Sequence, residues 1–113
     1  MQKLADADII VLATSVYFYS MSAQMKIFID RCLPGYTEIR GKSFYYSITA
    51  ANSQHSAADG TVAGLRGYLR CLPDAEEKGI IYGTGTWDMD DAYRHPAYEK
   101  AYEAGRNCGE RME

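Results

Sequence analysis

The run Ile9-Ile10-Val11-Leu12-Ala13 is the longest uninterrupted apolar segment of the sequence. A β-branched run without polar alternation is typical of a parallel strand that has helices on both faces. After a loop from Thr14 to Ser20, the apolar residues change to the helical spacing i, i+3, i+4 and i+7, at Met25, Phe28, Ile29 and Cys32. Ser20 or Ser22 can cap this predicted helix, and Leu33-Pro34-Gly35 would end it.

The same order of strand, loop and helix occurs a second time. The segment from Phe44 to Thr49 is rich in aromatic and β-branched residues, which predicts a strand. A polar loop over residues 50–60 follows, and Asp59 or Thr61 is the expected cap of the next helix. That helix has one apolar face, formed by Val62, Leu65, Leu69 and Leu72.

A third unit completes the pattern. The segment from Gly79 to Gly83 predicts a short strand, and a helix is expected to begin at His95-Pro96, since proline suits a first helical turn. Its apolar face would contain Tyr98, Ala101, Tyr102 and Gly105. A short polar helix is expected over residues 1–8. Three successive strand-helix units predict an α/β domain with a parallel sheet and right-handed crossovers.

The composition is that of one small globular domain over residues 1–113. The chain is 47% hydrophobic and has 12 Lys+Arg against 15 Asp+Glu, for a net charge of −3; two separate cores would not fit in this length. The acidic balance argues against a nucleic-acid partner. The longest apolar run is too short to cross a membrane, and the N-terminal residues lack the apolar core of a signal peptide. We therefore expect a cytoplasmic protein with no membrane partner.

Metal, disulfide and acid-base motifs are weak in this sequence. The three cysteines, Cys32, Cys71 and Cys108, are too widely spaced for a disulfide framework or a metal clip. Cys32 and Cys71 each precede Leu-Pro at a helix end, where a buried thiol is expected. An acidic turn without the glycine and glutamate of a calcium loop is expected to be solvated, at Asp88, Asp90 and Asp91.

Neither histidine has the spacing of a metal ligand or of a catalytic pair. His95 is interpreted as a helix-start residue, and His55 has no partner at i+4. The sequence Gly83-Thr84-Gly85-Thr86 lacks the third glycine of a dinucleotide fingerprint and is interpreted as a turn after the third strand. No catalytic side chain and no metal ligand are predicted.

The first strand poses a physical problem. In a simple progression of three strands it would lie at a sheet edge, yet Ile9 to Ala13 contains no charge or proline to discourage pairing with another chain. Either the chain associates with itself through this edge, or strands that precede it elsewhere are absent here. A homodimer or higher oligomer is therefore predicted, with Ile9 to Ala13 or the Tyr17-Phe18-Tyr19 loop in the contact.

Residues 14–31 read TSVYFYSMSAQMKIFIDR. This segment resembles the one that NAD(P)H-dependent FMN reductases of the flavodoxin-like superfamily carry after their third strand: a Ser/Thr-Pro-x-Tyr-Phe loop, then a Ser-x-x-x-Lys-x-Phe-x-Asp-Arg helix. The Leu-Pro that follows, the Arg-Gly-Lys before the next strand and the later spacing also agree. The resemblance covers the whole chain and implies the C-terminal part of a three-layer, flavodoxin-like α/β domain, shortened to about three strand-helix units.

Two features depart from that family. Ser15 replaces the family's proline, which removes one fixed φ angle from the loop. The family also begins with a strand and a Ser/Gly-rich loop that holds the FMN phosphate at a helix N-terminus, and this sequence has neither. The N-terminal half is therefore expected to be absent, and FMN is expected to bind poorly or not at all to this chain alone.

The resemblance implies a flavin site at the carboxyl ends of the strands. FMN is the implied cofactor and NAD(P)H the implied electron donor. The implied contacts are Thr14, Ser15, Val16, Tyr17 and Phe18 on one side and Ala51, Asn52 and Ser53 on the other. From the residues alone, the aromatic run Tyr17-Phe18-Tyr19 could equally cap a core or form an interface, and the second segment could be an ordinary polar loop.

Two functional hypotheses follow. The first is an FMN-dependent NAD(P)H oxidoreductase domain, in which hydride passes from NAD(P)H to flavin and electrons pass on to an acceptor. In that case the cofactor does the redox chemistry, and the protein supplies stacking, exclusion of water and electrostatic tuning. The alternative is a non-catalytic, truncated flavodoxin-like remnant that acts as an oligomerisation or interaction module.

Overall fold

The computed structural model of the chain describes residues 2–86 and 95–108. The strands in these residues are β1 (Ile9–Tyr17), β2 (Ser20–Met21), β3 (Ser43–Ala50) and β4 (Glu76–Thr84). The α-helices are α1 (Gln2–Asp6), α2 (Ala23–Arg31), α3 (Asp59–Cys71) and α4 (Pro96–Cys108), and two short 3₁₀ helices span Leu33–Glu38 and His55–Ala58. No helix among these residues has the length and apolarity needed to cross a membrane.

The strands form one sheet in the order β2-β1-β3-β4. β1 pairs with β3 and β3 with β4 in parallel, as predicted, whereas β2 is a two-residue antiparallel addition to the end of β1. α2 and α3 cover one face of the sheet, and α4 lies against the other face, beside Ser47 and Ile81. The result is a three-layer α/β arrangement.

The hydrophobic core lies between the sheet and the α2/α3 layer. Alternate residues of β1 and β3 point into it, and the predicted apolar face of α3 meets them, with Leu65 fully buried. Cys32 is buried as expected, and the hydroxyl of Tyr68 donates a hydrogen bond to its Sγ at 3.3 Å. Burial raises the pKa of Tyr68, so this phenol stays protonated and remains a donor.

The prediction that helices cover both faces of the first strand is wrong for the described residues. β1 alternates between buried and exposed positions: Ile10 and Leu12 face the core, whereas Val11 is 58% exposed. α4 packs beside β3 and β4, and Val11 and Ala13 on this side of β1 remain exposed. The strand is also longer than predicted, since it includes Thr14 to Tyr17 from the predicted loop.

Several local expectations need correction. The N-cap of α3 is Ala58 with no side-chain hydrogen bond, so neither Asp59 nor Thr61 caps that helix, and Thr61 is instead fully buried. The expectation of a buried thiol is wrong for Cys71, which is exposed and borders an open groove between α2 and α3. The predicted apolar face of α4 is wrong, because all four of its residues are exposed and Ala97 is the buried residue of this helix; the four are Tyr98, Ala101, Tyr102 and Gly105.

Other expectations about the ends of elements are confirmed. Ser22 caps α2, accepting a hydrogen bond from the amide of Met25 at 3.2 Å. At the start of α4, the amide of Ala97 donates to Nδ1 of His95 at 2.9 Å, which confirms His95 as a helix-start residue. The predicted acidic turn at Asp88, Asp90 and Asp91 lies outside the described residues.

An ion pair connects α3 to the start of β4. The guanidinium of Arg66 donates to both carboxylate oxygens of Glu77, at 2.8 and 3.0 Å. This contact lowers the pKa of Glu77. Because the folded state favours the ionised Glu77 carboxylate, the ion pair stabilises the fold fully above the unfolded-state pKa of about 4.3. This stabilisation is lost as the pH falls through the lowered pKa of the folded state.

We expect Arg66→Gln to reduce the free energy of unfolding by about 0.5 kcal/mol at pH 7, since the Arg66 side chain is half exposed and solvent weakens the pair. At pH 3 the difference from wild type should be smaller. Urea unfolding at both pH values measures it. Arg40→Gln is the control, because it removes the same charge from a longer, exposed pair with Asp74. An equal loss for both variants at pH 7 would contradict this assignment.

Candidate functional site

Three loops meet at the carboxyl edge of the sheet, where ligands bind in open α/β folds. The first is the hairpin that joins β1 to β2, the second follows β3 at residues 51–54, and the third follows β4 at Gly85 and Thr86. Two of these three loops contain the residues predicted as flavin contacts. The candidate site therefore lies at the carboxyl edge of the sheet.

The β1-β2 hairpin turns through two aromatic residues. Tyr17 pairs with Ser20, so Phe18 and Tyr19 form a two-residue loop, and both have positive φ, 51° and 65°. This is the φ pattern of a type I′ turn, which normally takes Asn or Gly. A non-glycine residue in this region costs roughly 1–3 kcal/mol. Strain of this kind accumulates at functional sites because the surrounding structure must hold it in place.

The hairpin presents its rings to solvent. Phe18 is fully exposed, and Tyr17 and Tyr19 are 59% and 67% exposed. Tyr98 and Tyr102 of α4 are exposed as well, but the hairpin groups three exposed rings on one strained turn, and an apolar patch of this kind marks a contact surface. The interpretation of this run as a core cap is therefore wrong, and a ligand contact or an interface remains.

Two glycines of α3 hold the hairpin in place. A Cβ on Gly60 would overlap the backbone carbonyl oxygen of Tyr19, and a Cβ on Gly64 would lie 2.6 Å from Cε of Met21. The turn therefore rests directly on the backbone of α3 at Gly60, and one helical turn later the side chain of Met21 in β2 packs on Gly64. Neither glycine was among the predicted site residues, although their i, i+4 spacing is a usable signal for close packing.

A buried pair of hydroxyl groups fixes the other side of the hairpin. The amide of Ser22 donates to Oγ1 of Thr14 at 3.0 Å, and the Thr14 hydroxyl lies within donating distance of Ser22 Oγ and of the Ser15 carbonyl oxygen, at 3.3 and 2.9 Å. Ser22 Oγ in turn caps α2. Thr14 thus joins the end of β1 to the start of α2. It is a strand residue that holds the hairpin in place, not the loop residue that was predicted.

Hydrogen bonds tie the second loop to the third. The amide of Gly85 donates to the carbonyl oxygen of Asn52 at 2.9 Å, and the amide of Thr86 donates to that of Ala50 at 3.0 Å. The side chain of Asn52 accepts a hydrogen bond from the amide of Gln54 at 2.8 Å, which closes a local turn. Gly85 has φ of +76°, which explains the glycine at this position.

A pocket of about 390 Å³ lies beside the hairpin. This volume falls within the usual range for small-molecule sites, about 300–1,000 Å³. Its lining is polar and uncharged, formed by Ala13, Thr14, Ser15, Tyr17, Ser22, Gln24, Ser47 and Thr49. Hydroxyl and amide groups next to an exposed aromatic ring match the needs of a flat, heteroaromatic ligand such as a flavin ring, so the donor set fits such a group.

The pocket brings together only some of the predicted site residues. Thr14, Ser15 and Tyr17 line it, whereas Phe18 and the loop at residues 51–53 do not. The side chain of Val16 packs against the hydrophobic core, so only its backbone could meet a ligand. Ser47 and Thr49 line the pocket from β3 although they were not predicted, because their position next to the end of β1 depends on the strand register.

A larger cavity and an aromatic pair lie elsewhere. The cavity, about 570 Å³, is an apolar groove between α2 and α3 near Leu33 and Tyr36, away from the strand ends.

The ring of His55 stacks on that of Tyr82 with centroids 4.3 Å apart. Within residues 2–86 and 95–108, no three His, Cys, Asp or Glu side chains cluster closely enough to hold a metal ion.

Comparisons with known proteins show which proteins the chain is similar to. A protein-family model described as NADPH-dependent FMN reductase matches residues 1–76. A curated FMN-dependent NADH:quinone oxidoreductase of Xanthomonas campestris pv. campestris is 33% identical over 86 residues, which cover 76% of this chain and 34% of that protein. The chain thus spans about a third of the length of this curated relative.

Solved structures show the same fold. The Trp repressor binding protein from Bacillus subtilis superposes with a TM-score of 0.76 at 20% identity, covering 88% of this chain and 64% of that one. An NADPH-quinone reductase from P. pentosaceus superposes with a TM-score of 0.61 at 17% identity, covering 82% and 65%. The predicted three-layer, flavodoxin-like α/β fold is confirmed.

Proposed function

Because the chain belongs to the NADPH-dependent FMN reductase family, we propose that it is part of an FMN-dependent NAD(P)H oxidoreductase and that its β1-β2 hairpin forms one wall of the flavin site. When bound, FMN supplies the redox chemistry, taking up hydride from NAD(P)H and passing electrons to an acceptor. The observation that carries the proposal is the strained aromatic turn beside a polar pocket at the carboxyl edge.

The chain's own residues act by binding and orientation. Tyr17 and Phe18 provide flat apolar surface that can stack on a ring system and exclude water from it. The backbone amides of residues 14–18 and the loop at Ala51, Asn52 and Ser53 are the proposed polar contacts. Thr14 keeps the hairpin in position from beneath. No side chain of this chain is proposed to act as an acid or base.

The test is a flavin titration of the purified chain, followed by quenching of flavin fluorescence. We expect FMN and riboflavin to bind with similar affinity, micromolar or weaker. The reason is that the pocket lining contains no cationic side chain that could pair with the FMN phosphate. A bound flavin that accelerates NAD(P)H oxidation would support the oxidoreductase function. Absence of quenching by both flavins would contradict the proposed site and would favour the non-catalytic alternative.

The double substitution Tyr17→Ala and Phe18→Ala should weaken riboflavin binding about tenfold. Stacked aromatic rings contribute binding free energy in addition to that of the apolar area they bury. Both side chains are exposed, so the free energy of unfolding should barely change. Tyr102→Ala is the control, because that ring is equally exposed but lies on α4. Fluorescence titration of the three proteins measures the effect. Equal affinity in all three would remove the hairpin from the flavin site.

A further inference from the structure

A histidine side chain caps the N-terminus of α4. Pro96, at the first helical position, has no amide hydrogen, so Ala97 supplies the first N–H of the helix. This amide donates to Nδ1 of His95 at 2.9 Å, and the amide of Tyr98 donates to the carbonyl oxygen of His95, also at 2.9 Å. His95 thus takes the position that Ser, Thr, Asp or Asn usually occupies at the start of a helix.

This cap requires a free lone pair on Nδ1. A neutral imidazole carries its proton on one nitrogen and accepts at the other, whereas both nitrogens of a protonated imidazole are donors. The hydrogen bond from Ala97 therefore requires a neutral His95 with its proton on Nε2. A serine, threonine or asparagine cap has no such requirement, so the choice of histidine makes this helix end sensitive to pH.

Protonation of His95 is unfavourable in the capped state for two reasons. Ala97 is the buried residue of α4, so its amide would lose its acceptor where water has limited access. A positive charge on His95 would also lie next to the positive end of the helix dipole. Both effects oppose the protonated form of the cap.

The groups that face His95 are uncharged. His95 lines a cavity of about 180 Å³ between α4, β3, β4 and the loop after β4. Tyr98 is the one other ionisable residue of this lining, and a phenol does not titrate in the range of histidine, about pH 5 to 8. Glu99 lies in the first turn of α4, but none of the ion pairs within residues 2–86 and 95–108 includes Glu99 or His95.

The cavity adjoins the candidate flavin site. Ser47 and Thr49 of β3 line both this cavity and the pocket beside the hairpin. From the other side, Ala97 and Tyr98 contribute the first turn of α4 to the cavity lining. The capped turn is therefore a wall next to the flavin pocket.

We propose that His95 is a pH-sensitive cap that holds this wall in place. When neutral, it closes the first turn of α4. As the pH falls through the range of histidine, proton uptake removes the acceptor of the Ala97 amide, and the turn opens beside Ser47 and Thr49. The unfolded chain takes up the same proton without this loss, so the free energy of unfolding decreases as the pH falls. The proposal concerns the chain alone and does not depend on flavin binding.

Urea unfolding at pH 7.5 and pH 5.5 tests the proposal. His95→Asn is the central variant, because asparagine accepts the same hydrogen bond at both pH values. Between pH 7.5 and pH 5.5, we expect the urea midpoint of the wild type to fall by about 0.5 M more than that of His95→Asn. Carboxylates titrate alike in the two proteins. An equal change of midpoint in both would overturn the proposal.

His55→Asn is the matched control. His55 is the other of the two histidines in the chain, and its ring stacks on Tyr82 instead of capping a helix. We expect His55→Asn to keep the pH dependence of the wild type. If His55→Asn removed this dependence, the effect would belong to His55 and the proposal would be overturned.

Nuclear magnetic resonance of the nitrogen-15-labelled wild-type chain stays informative if His95→Asn does not fold. At pH 8 we expect the imidazole proton of His95 on Nε2, as the hydrogen bond from Ala97 requires. As His95 titrates, the amide signal of Ala97 should shift with the same midpoint. A proton on Nδ1, or an Ala97 signal that stays constant through the titration, would overturn the proposal.

Discussion

Gly60→Ala is expected to lower the free energy of unfolding by about 2 kcal/mol, although alanine is a better helix former than glycine. The added Cβ would occupy the position of the Tyr19 carbonyl oxygen. That atom belongs to the backbone of a strained turn, so it cannot rotate away as a flexible side chain could. Either the hairpin lifts from α3 or the helix shifts, and both outcomes lose packing.

Gly67→Ala provides the matched control. Both glycines lie in α3, but a Cβ on Gly67 would have its nearest contact at 3.8 Å, with a terminal nitrogen of Arg70. Helix propensity alone then predicts a gain of up to about 1 kcal/mol. Urea unfolding of both variants would show opposite signs. A neutral or stabilising Gly60→Ala would mean that the hairpin does not rest on α3.

The same substitution separates stability from ligand binding. If the hairpin is a flavin wall, Gly60→Ala should also weaken riboflavin binding, because it displaces Tyr17 and Phe18 along with the turn. Gly67→Ala should leave the affinity unchanged. A destabilised Gly60→Ala with wild-type flavin affinity would support the packing of the hairpin but contradict its role in the site.

The parallel strands and the core-facing side of α3 could be predicted from the sequence because each has a local signal. Leu65 and its apolar neighbours repeat at helical spacing, and β3 is dense in aromatic and β-branched residues. Such patterns report how much apolar surface an element must bury. They do not report which neighbour buries it, and for this reason Val11 was expected to be covered although no described helix reaches it.

The hairpin could not be predicted, for a different reason. Two-residue turns are usually signalled by Asn-Gly or similar pairs, and here the turn residues are Phe18 and Tyr19. Their positive φ angles oppose local preference, so tertiary contacts must impose them. Those contacts come from Gly60, far along the chain, and no short window of sequence contains both partners.

Thr14→Val is expected to cost about 2 kcal/mol of folding free energy, since it removes a hydroxyl without changing the shape of the side chain. Both Thr14 and Ser22 are buried, so the amide of Ser22 would lose its acceptor in a place that water does not readily reach. An unsatisfied buried donor costs more than the hydrogen bond itself contributes. Thr14→Ser keeps the hydroxyl and should cost less than half as much.

Thr49→Val is the control for removal of a threonine hydroxyl elsewhere at the carboxyl edge. Thr49 is exposed on the neighbouring strand, and its hydroxyl makes only a long 3.5 Å contact with Ser15 Oγ. We expect a change of less than about 0.5 kcal/mol for this variant. Thermal or urea unfolding of the three variants gives the comparison. If Thr14→Val and Thr49→Val were equally mild, the hydroxyl pair would not anchor the hairpin, and the hold on the aromatic turn would rest on the glycines of α3 alone.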